Sequence, residues 1–397
     1  MSRPAFKVAL FTGNYNYTRD GSNQALNRLV GYLQDVARAE VRIYSPTTDH
    51  PAFDPVGELI SIPSISVPGR PEYRLALGLN HAARQNIIRF APDIVHLSTP
   101  DVLGVQAQKL ARQIGAPVVA SLHTRFETYL DYYGVGWLEP LLKRHLDSFY
   151  RQCDYVLAPS PGMAAELEAI GLQGRVRVWS RGVDRDLFDP RRRDMAWRRA
   201  NGIADDEVAV LFFGRIVLEK GLGLFADVID GLRARGEKVR ALIVGDGPAR
   251  AWFAGRLPDA VFTGFLTGAD LARAVASADV LMNPSVTEAF GNVTLEALAA
   301  GVPAVCADVP AHAALVRPGV TGLLCQPTEA QSYIEAVAAL IADPARRKSF
   351  GAAARASSAA YSWSAALSRV VDTYMEAMHR HEQPAEAPML ESALAAG

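Results

Sequence analysis

The chain has 397 residues, with 41 basic and 42 acidic side chains and a formal net charge of −1; that balance excludes a generally basic nucleic-acid binder, though not a local basic patch. Hydrophobic residues make up 49% and charged residues 21%, which excludes disorder as the main state and any collagen-like or repeat fibre, and the length favours two domains of about 100–200 residues. Cys153, Cys306 and Cys325 are too few and too widely spaced for a disulfide framework or a zinc site, and they suit a reducing compartment.

Met1 to Leu10 enters an apolar run directly, without the charged start, long apolar core and small-residue cleavage site of a secretory leader. No stretch reaches the ~18 uninterrupted apolar residues of a membrane span. The expectation is a cytoplasmic protein whose membrane contact is peripheral. Phe6–Phe11 reads as a strand, Gly21–Ala37 as a helix and Glu40–Tyr44 as a strand. Asp93–Leu97 and Val118–Leu122 are further strands around a helix at Val105–Ile114, and strand Tyr155–Ala158 precedes a helix near Gly162–Ile170. Such alternation implies right-handed crossovers and a parallel sheet covered on both faces. The pattern restarts after residue 205. Val208–Phe213, Val239–Val244, Ala260–Thr263, Val280–Met282 and Ala304–Ala307 read as strands. Gly221–Arg235, Ala269–Ala276, Asn292–Ala300, Glu329–Ala342 and Pro344–Ala359 read as helices.

The expected class is therefore α/β, with two doubly wound Rossmann-like domains over 1–183 and 205–360. Between them, 184–204 is arginine-rich and contains Pro190, which suits an interdomain connection with a solvated basic run. A last long helix occupies 361–382, and 383–397 reads as a mobile tail. Ligands of open parallel sheets bind beyond the carboxyl ends of the strands, so residues just after strands carry the interest.

Asn283–Ala297, NPSVTEAFGNVTLEA, runs from a strand end through a loop with Glu288 into a helix that begins near Gly291 and holds Glu296 one turn in. The amides of Phe290, Gly291, Asn292 and Val293 can face an anion at that helix start. The two carboxylates can accept hydrogen bonds from sugar hydroxyls on either side of a phosphate. By spacing alone, an equal reading makes Glu296 a surface helix residue and Glu288 a loop carboxylate. Phe213–Gly221, FGRIVLEKG, follows another strand: Gly214 permits close backbone approach, and Arg215 and Lys220 can neutralise a diphosphate, one as a fork and one as a point charge. Lone basic residues more commonly decorate surfaces. Gly245–Pro248, GDGP, suits an ordinary turn. Thr263–Phe265 suits the edge of a nucleotide base, which makes Phe265 a weak donor-site candidate. In the first half, Asp20–Gln24, DGSNQ, opens a helix, with Gly21 at the approach and Ser22 or Asn23 as the N-cap. It is neither a dinucleotide fingerprint nor a P-loop. His123 and Arg125, in SLHTRFE, follow a strand, although a single histidine is more commonly structural.

Together these residues resemble the GT-B fold retaining glycosyltransferases of family 4, over nearly the whole chain. Glu288-Ala-Phe-Gly-Asn-Val-Thr-Leu-Glu296 is similar to that family's Glu-x7-Glu motif, and Gly214-Arg215 with Lys220-Gly221 to its diphosphate-binding pair. Arg181-Gly-Val-Asp184 with Phe188 and Pro190 resembles an interdomain N-G-V-D-x-x-x-F-x-P segment in which Arg181 replaces the usual Asn. The resemblance implies two domains facing across a cleft, acceptor on the first and nucleotide sugar on the second. The final helix crosses back to the first domain. It implies Glu288 on donor-sugar hydroxyls and Glu296 on the ribose. It further implies Arg215, Lys220 and the amides near Gly291 and Gly21 on the diphosphate, with His123 near the anomeric centre. Ser22 replaces the second glycine common after Gly21 in the family.

Such an enzyme moves a hexosyl group from a UDP- or GDP-sugar to an acceptor hydroxyl. Fixed positive groups stabilise the departing diphosphate. Same-face attack, with the donor β-phosphate as base, accounts for retention. No cofactor or metal is expected, since Arg and Lys carry the charge, and Asp184-Arg185-Asp186 is read as structural. The run after His123, with Arg125, Tyr129, Tyr132 and Tyr133, resembles the branch acting on lipid or lipid-linked acceptors. Sulfoquinovosyl-lipid synthases and GDP-mannose-dependent mannosyltransferases belong to that branch. Arg70, Arg74, Arg84 and Arg89 suit anionic headgroups or are simply scattered surface charges. No nucleic-acid partner is expected. Two rival readings are a GT-B-like UDP-N-acetylglucosamine epimerase and a non-catalytic nucleotide-sugar-binding protein.

Overall fold

In the computed structural model, residues 5–18, 20–67, 70–123 and 136–382 are described. They form two compact units. The first comprises 5–121, 148–157 and 368–382, and the second 122–123, 136–147 and 158–367.

The chain opens with β1 (Lys7–Phe11), α1 (Gly21–Asp35), β2 (Glu40–Ser45) and β3 (Glu58–Ser61). Next come β4 (Ser64–Val67), β5 (Arg70–Ala76), α2 (His81–Phe90), β6 (Ile94–Leu97), α3 (Val102–Ile114) and β7 (Val118–Ser121). Then follow α4 (Glu139–Arg151), β8 (Tyr155–Ala158), α5 (Pro161–Leu167) and β9 (Val176–Val178). The first sheet has the order β3-β2-β1-β6-β7-β8-β9. Its pairing is parallel, with Val8 opposite both Val41 and Ile94. Strands β6, β7 and β8 are buried at every residue, which is why they read as largely apolar runs. Side-chain caps start the helices here: Asp20, Asn80, Asp101 and Ser160 each accept from an amide of the first turn. The cap of α1 is therefore Asp20, not Ser22 or Asn23. The Asp20 carboxylate takes both the Asn23 amide at 2.9 Å and the Ser22 hydroxyl at 2.6 Å.

The second unit continues through α6 (Met195–Ala200), β10 (Val208–Phe213), α7 (Leu222–Ala234), β11 (Val239–Val244), α8 (Arg250–Arg256), β12 (Val261–Gly264) and α9 (Gly268–Ala276). It goes on with β13 (Val280–Asn283), α10 (Asn292–Ala299), β14 (Ala304–Ala307), α11 (Pro310–Ala313), β15 (Gly322–Cys325), α12 (Ala330–Ala342) and α13 (Pro344–Ser357). The last helix is α14 (Trp363–Glu382). Its sheet is parallel, in the order β12-β11-β10-β13-β14-β15. One apolar layer packs Phe225, Phe253 and Val337 against Val210 and Ile243; the other packs Leu295, Leu298 and Val275 against Leu211 and Leu281. Two covered faces make an α/β unit with its core on both sides of one sheet.

Strand β3 and the antiparallel pair β4–β5 have no apolar signature, because β3 and β4 are half-buried or exposed along their length. Of the first-half arginines, Arg74 is spent on Ser64: its Nε donates to Oγ at 2.8 Å. The basic run in 184–204 is not simply solvated. Arg198 is buried and donates to Asp279 Oδ2 at 2.7 Å and to the Ser277 carbonyl at 2.8 Å. Arg193 donates to Asp279 Oδ1 at 2.6 Å. Asp184 caps a turn by accepting from the amides of Asp186 and Leu187. Among the described residues no helix is long and apolar enough to cross a membrane.

Candidate active site

The carboxyl ends of β10, β11 and β13 each lead into a loop, and these loops touch one another. After β10, the Ile216 amide donates to the Asp246 carbonyl at 2.9 Å, and the Ile216 carbonyl accepts from the Ala249 amide. The Gly245–Pro248 turn thus props the Gly214–Val217 loop. Residues 218–220 then form a single helical turn that ends at Gly221 with φ +74°. A Cβ there would come within 3.0 Å of Pro284, just past β13, so the loop after β10 lies against the loop after β13. Thr287 Oγ1 also donates to the Glu219 carbonyl at 3.3 Å.

This contact joins Lys220 to Glu288. Lys220 Nζ donates to Glu288 Oε1 at 2.7 Å, with the two side chains 25% and 14% exposed. Burial pushes the Glu288 carboxyl up, but the Lys220 charge beside it, with hydrogen bonds from Lys220 and Asn283, outweighs burial and holds it below its ordinary value. Asn283 is anchored in turn, donating to Thr294 Oγ1 at 3.1 Å and accepting from the Ser285 amide at 3.2 Å.

Helix α10 begins beside this pair. Its cap is Gly291, in the left-handed region at φ +95°, which supplies no side-chain cap, so that among the described residues no side chain caps its first amides. The first-turn N–H groups and the positive end of the helix dipole therefore remain available to an anion. Val293 lies against Gly214: a Cβ on that glycine would be 3.8 Å from Val293 Cγ1. Gly214, Lys220, Glu288, Gly291, Asn292 and Val293 thus gather at one edge of the second sheet. Asn292 Oδ1 is buried without a hydrogen-bond partner. Glu296 lies one turn inside α10, and Arg215, next to Gly214, is half-buried. The side chain of Phe290 is in the core, edge-on to Tyr361 at 6.1 Å, which leaves its backbone amide, the group expected at the anion, as its part in the site. Phe265 is 57% exposed after β12.

Gly21 is the first residue of α1, in the first unit. His123 follows β7, and its Nδ1 accepts from Arg181 Nη2 at 2.8 Å. Arg125 and Tyr129, with Tyr132 and Tyr133, lie outside the described residues.

His312 was not among the expected residues. It is fully buried on α11, its Nδ1 is 3.1 Å from the Ala307 carbonyl, and its Nε2 has no partner. Since a carbonyl only accepts, Nδ1 carries the proton. Burial lowers its pKa, so the ring is neutral. A Cβ on Gly291 would lie 3.5 Å from His312 Cδ2, which puts the ring behind the start of α10. In sequence it is one histidine among alanines, with nothing to connect it to Glu288. Asn283 was equally hidden, as the last residue of an apolar strand. Among the described residues no cluster of three or more His, Cys, Asp or Glu could hold a metal ion.

Two family descriptions match the chain: glycosyltransferase family 4 over residues 19–187 and glycosyl transferases group 1 over residues 207–343. The sulfoquinovosyl transferase SQD2 of Arabidopsis thaliana is 32% identical over 93% of this chain and 73% of its own length. A GDP-mannose-dependent alpha-mannosyltransferase of Mycolicibacterium smegmatis is 32% identical over 94% of this chain and 98% of its own. Among solved structures, Anabaena HepE, crystallised with UDP and glucose, superposes with a TM-score of 0.71 at 18% identity, covering 93% of this chain and 99% of that one. With two parallel sheets, a candidate site edge on the second and relatives 32% identical over nine-tenths of this chain, the chain belongs to the family 4 glycosyltransferases of GT-B fold.

Proposed function

We propose that this glycosyltransferase moves a hexosyl group, with retention, from a UDP- or GDP-sugar to a hydroxyl of a lipid or lipid-linked acceptor at the cytosolic face of a membrane. The observation that carries the reading is the joining of Lys220, Glu288 and the uncapped start of α10 at one sheet edge. A cation and free amides suit a diphosphate, and a carboxylate beside them suits sugar hydroxyls. The lipid acceptor rests on a relative named as an alpha-monoglucosyldiacylglycerol synthase. The GDP donor rests on a relative named for GDP-mannose.

In this reading the acceptor oxygen bonds to the anomeric carbon from the face that the diphosphate leaves. The carbon–oxygen bond to the β-phosphate breaks, and the acceptor proton passes to that phosphate. Lys220, Arg215 and the α10 amides hold the negative charge that builds on the leaving group, where preorganised charge supplies most rate. Glu288 and Glu296 hold sugar and ribose, and His123 lies beside the anomeric centre. Peripheral membrane contact follows from the acceptor.

A thermal-shift screen of UDP- and GDP-sugars, followed by mass spectrometry of products made from extracted lipids, tests the proposal. One nucleotide sugar is expected to stabilise the chain and to yield a glycolipid whose anomeric configuration, read by NMR, matches the donor. Transfer to soluble acceptors alone would overturn the lipid assignment, and an inverted product would overturn retention.

A further inference from the structure

Arg181 stands where the related segment carries Asn. Its residue is only 4% exposed. The guanidinium lies 4.7 Å over the Trp179 ring, Nη1 donates to the Trp179 carbonyl at 3.0 Å, and Nη2 donates to His123 Nδ1 at 2.8 Å. The His123 ring in turn meets Trp179 edge-on at 5.2 Å between centroids. No carboxylate pairs with Arg181 among the described residues. A buried cation without a counter-ion is costly, and packing alone would be served by an apolar side chain. Burial pulls its pKa down to about 10, which still leaves it charged at neutral pH.

The chemistry of the contact is one-sided. A guanidinium has five N–H donors and no acceptor. Nδ1 of His123 must therefore present its lone pair, and the proton of a neutral ring must sit on Nε2. Protonating Nδ1 would both break the bond and set two cations side by side.

We infer that Arg181 is a positioning residue that holds His123 as the neutral Nε2–H tautomer, making it a hydrogen-bond donor and denying it the role of a general base through Nδ1. The inference rests on the proposed transfer reaction only for what Nε2–H meets, an oxygen of the donor sugar or of its leaving phosphate. With the ring unable to take up a proton at Nδ1, the acceptor proton has to go elsewhere, which agrees with the donor phosphate as its destination.

The test is long-range nitrogen–proton NMR of the full, ligand-free chain labelled with ¹⁵N-histidine. His123→Gln identifies the His123 signals among the eight histidines. The wild type is expected to show His123 with a bare Nδ1 and a protonated Nε2, unchanged between about pH 5 and 8, the range in which an ordinary histidine titrates. In Arg181→Met, which has no N–H to donate, the ring is expected to titrate normally. An Nδ1–H or doubly protonated His123 in the wild type at pH 6 overturns the inference, and so does an unchanged tautomer in a folded Arg181→Met. If Arg181→Met does not fold, Arg181→Lys carries the test: an ammonium also only donates, so the Nε2–H form should persist, and an Nδ1–H form there overturns it. Because no sugar nucleotide is present, failure of the transfer reaction leaves this readout untouched.

Discussion

Lys220 and Glu288 lie 68 residues apart in sequence and 2.7 Å apart in the fold. The ammonium keeps the half-buried carboxyl ionised, and the carboxylate fixes the position of the ammonium. Lys220→Ala removes a cation from the charge-bearing part of the site and leaves Glu288 facing α10 alone. In single-turnover transfer the rate is expected to fall about 10²–10³-fold, the cost of one donor lost at an oxyanion-type site. The melting temperature should fall as well, since Glu288 loses the cation that offsets its burial. A near-wild-type rate in a folded variant would take Lys220 out of the diphosphate site. At this scale the pattern Glu-x7-Glu was legible because both carboxylates sit on one strand–loop–helix segment. Of the groups that decide the chemistry of Glu288, Asn283 opens the same segment, but Lys220 and His312 come from two other places in the chain.

Among elements, the seam between α6, α9 and the second sheet depends on one carboxylate. Asp279 precedes β13, and its Oδ2 accepts from both the Ala209 amide and Arg198 Nη1 at 2.7 Å, while Oδ1 accepts from Arg193. Burial raises the Asp279 pKa, but the charges of Arg193 and Arg198, with hydrogen bonds from Ala209 and Arg198, outweigh it and hold it below its ordinary value. A folded-state pKa below the unfolded one contributes stability that is fully present above the unfolded value, about 3.9, and is lost as pH falls through the folded value. Asp279→Asn is expected to cost about 3–5 kcal/mol at pH 7, because it strands a buried guanidinium. The gap to wild type in urea midpoints should narrow as pH drops below about 4. A gap that stays constant with pH would show that the ion pair is not its source. The arginines of 184–204 look like solvated decoration in one dimension because the pattern cannot reveal that a single aspartate, some 80 residues on, collects two of them.

At the scale of the whole molecule, the end of the chain returns to its beginning. From Ser368 onward α14 belongs to the first unit. Its Tyr374 is buried edge-on to Phe6 and bonds His96 Nδ1 at 2.5 Å, while His96 Nε2 meets Ser121 Oγ at 2.8 Å. Tyr374→Phe removes the hydroxyl bonded to His96 Nδ1, at a cost of about 0.5–1.5 kcal/mol. Amide exchange across 368–382 should speed up accordingly; unchanged exchange would mean that apolar packing alone holds the helix. Burial lowers the His96 pKa to about 3. The neutral ring is thus favoured in the fold, and the stability it contributes is full above about pH 6.5 and lost as pH falls from there toward 3.

The sequence by itself determined the doubly wound pattern of both halves, because strands buried on two faces must be apolar throughout. Val208–Phe213, Val239–Val244, Tyr155–Ala158 and Ala304–Ala307 are strands over the residues that their apolar runs mark. It also marked the segments that carry the candidate site, through the spacing of Glu288 with Glu296 and of Gly214-Arg215 with Lys220-Gly221 just past two such strands. Strands β3 and β4 were illegible, being only four residues long and half-buried or exposed along their length. Tertiary structure alone decided which charges meet. It paired Lys220 with Glu288, drew Arg193 and Arg198 onto Asp279, and set Arg181 against His123, 58 residues away. Electrostatic and hydrogen-bonding energies depend on separations of a few ångströms and on burial, and neither is encoded locally in a chain whose contacting groups are tens of residues apart.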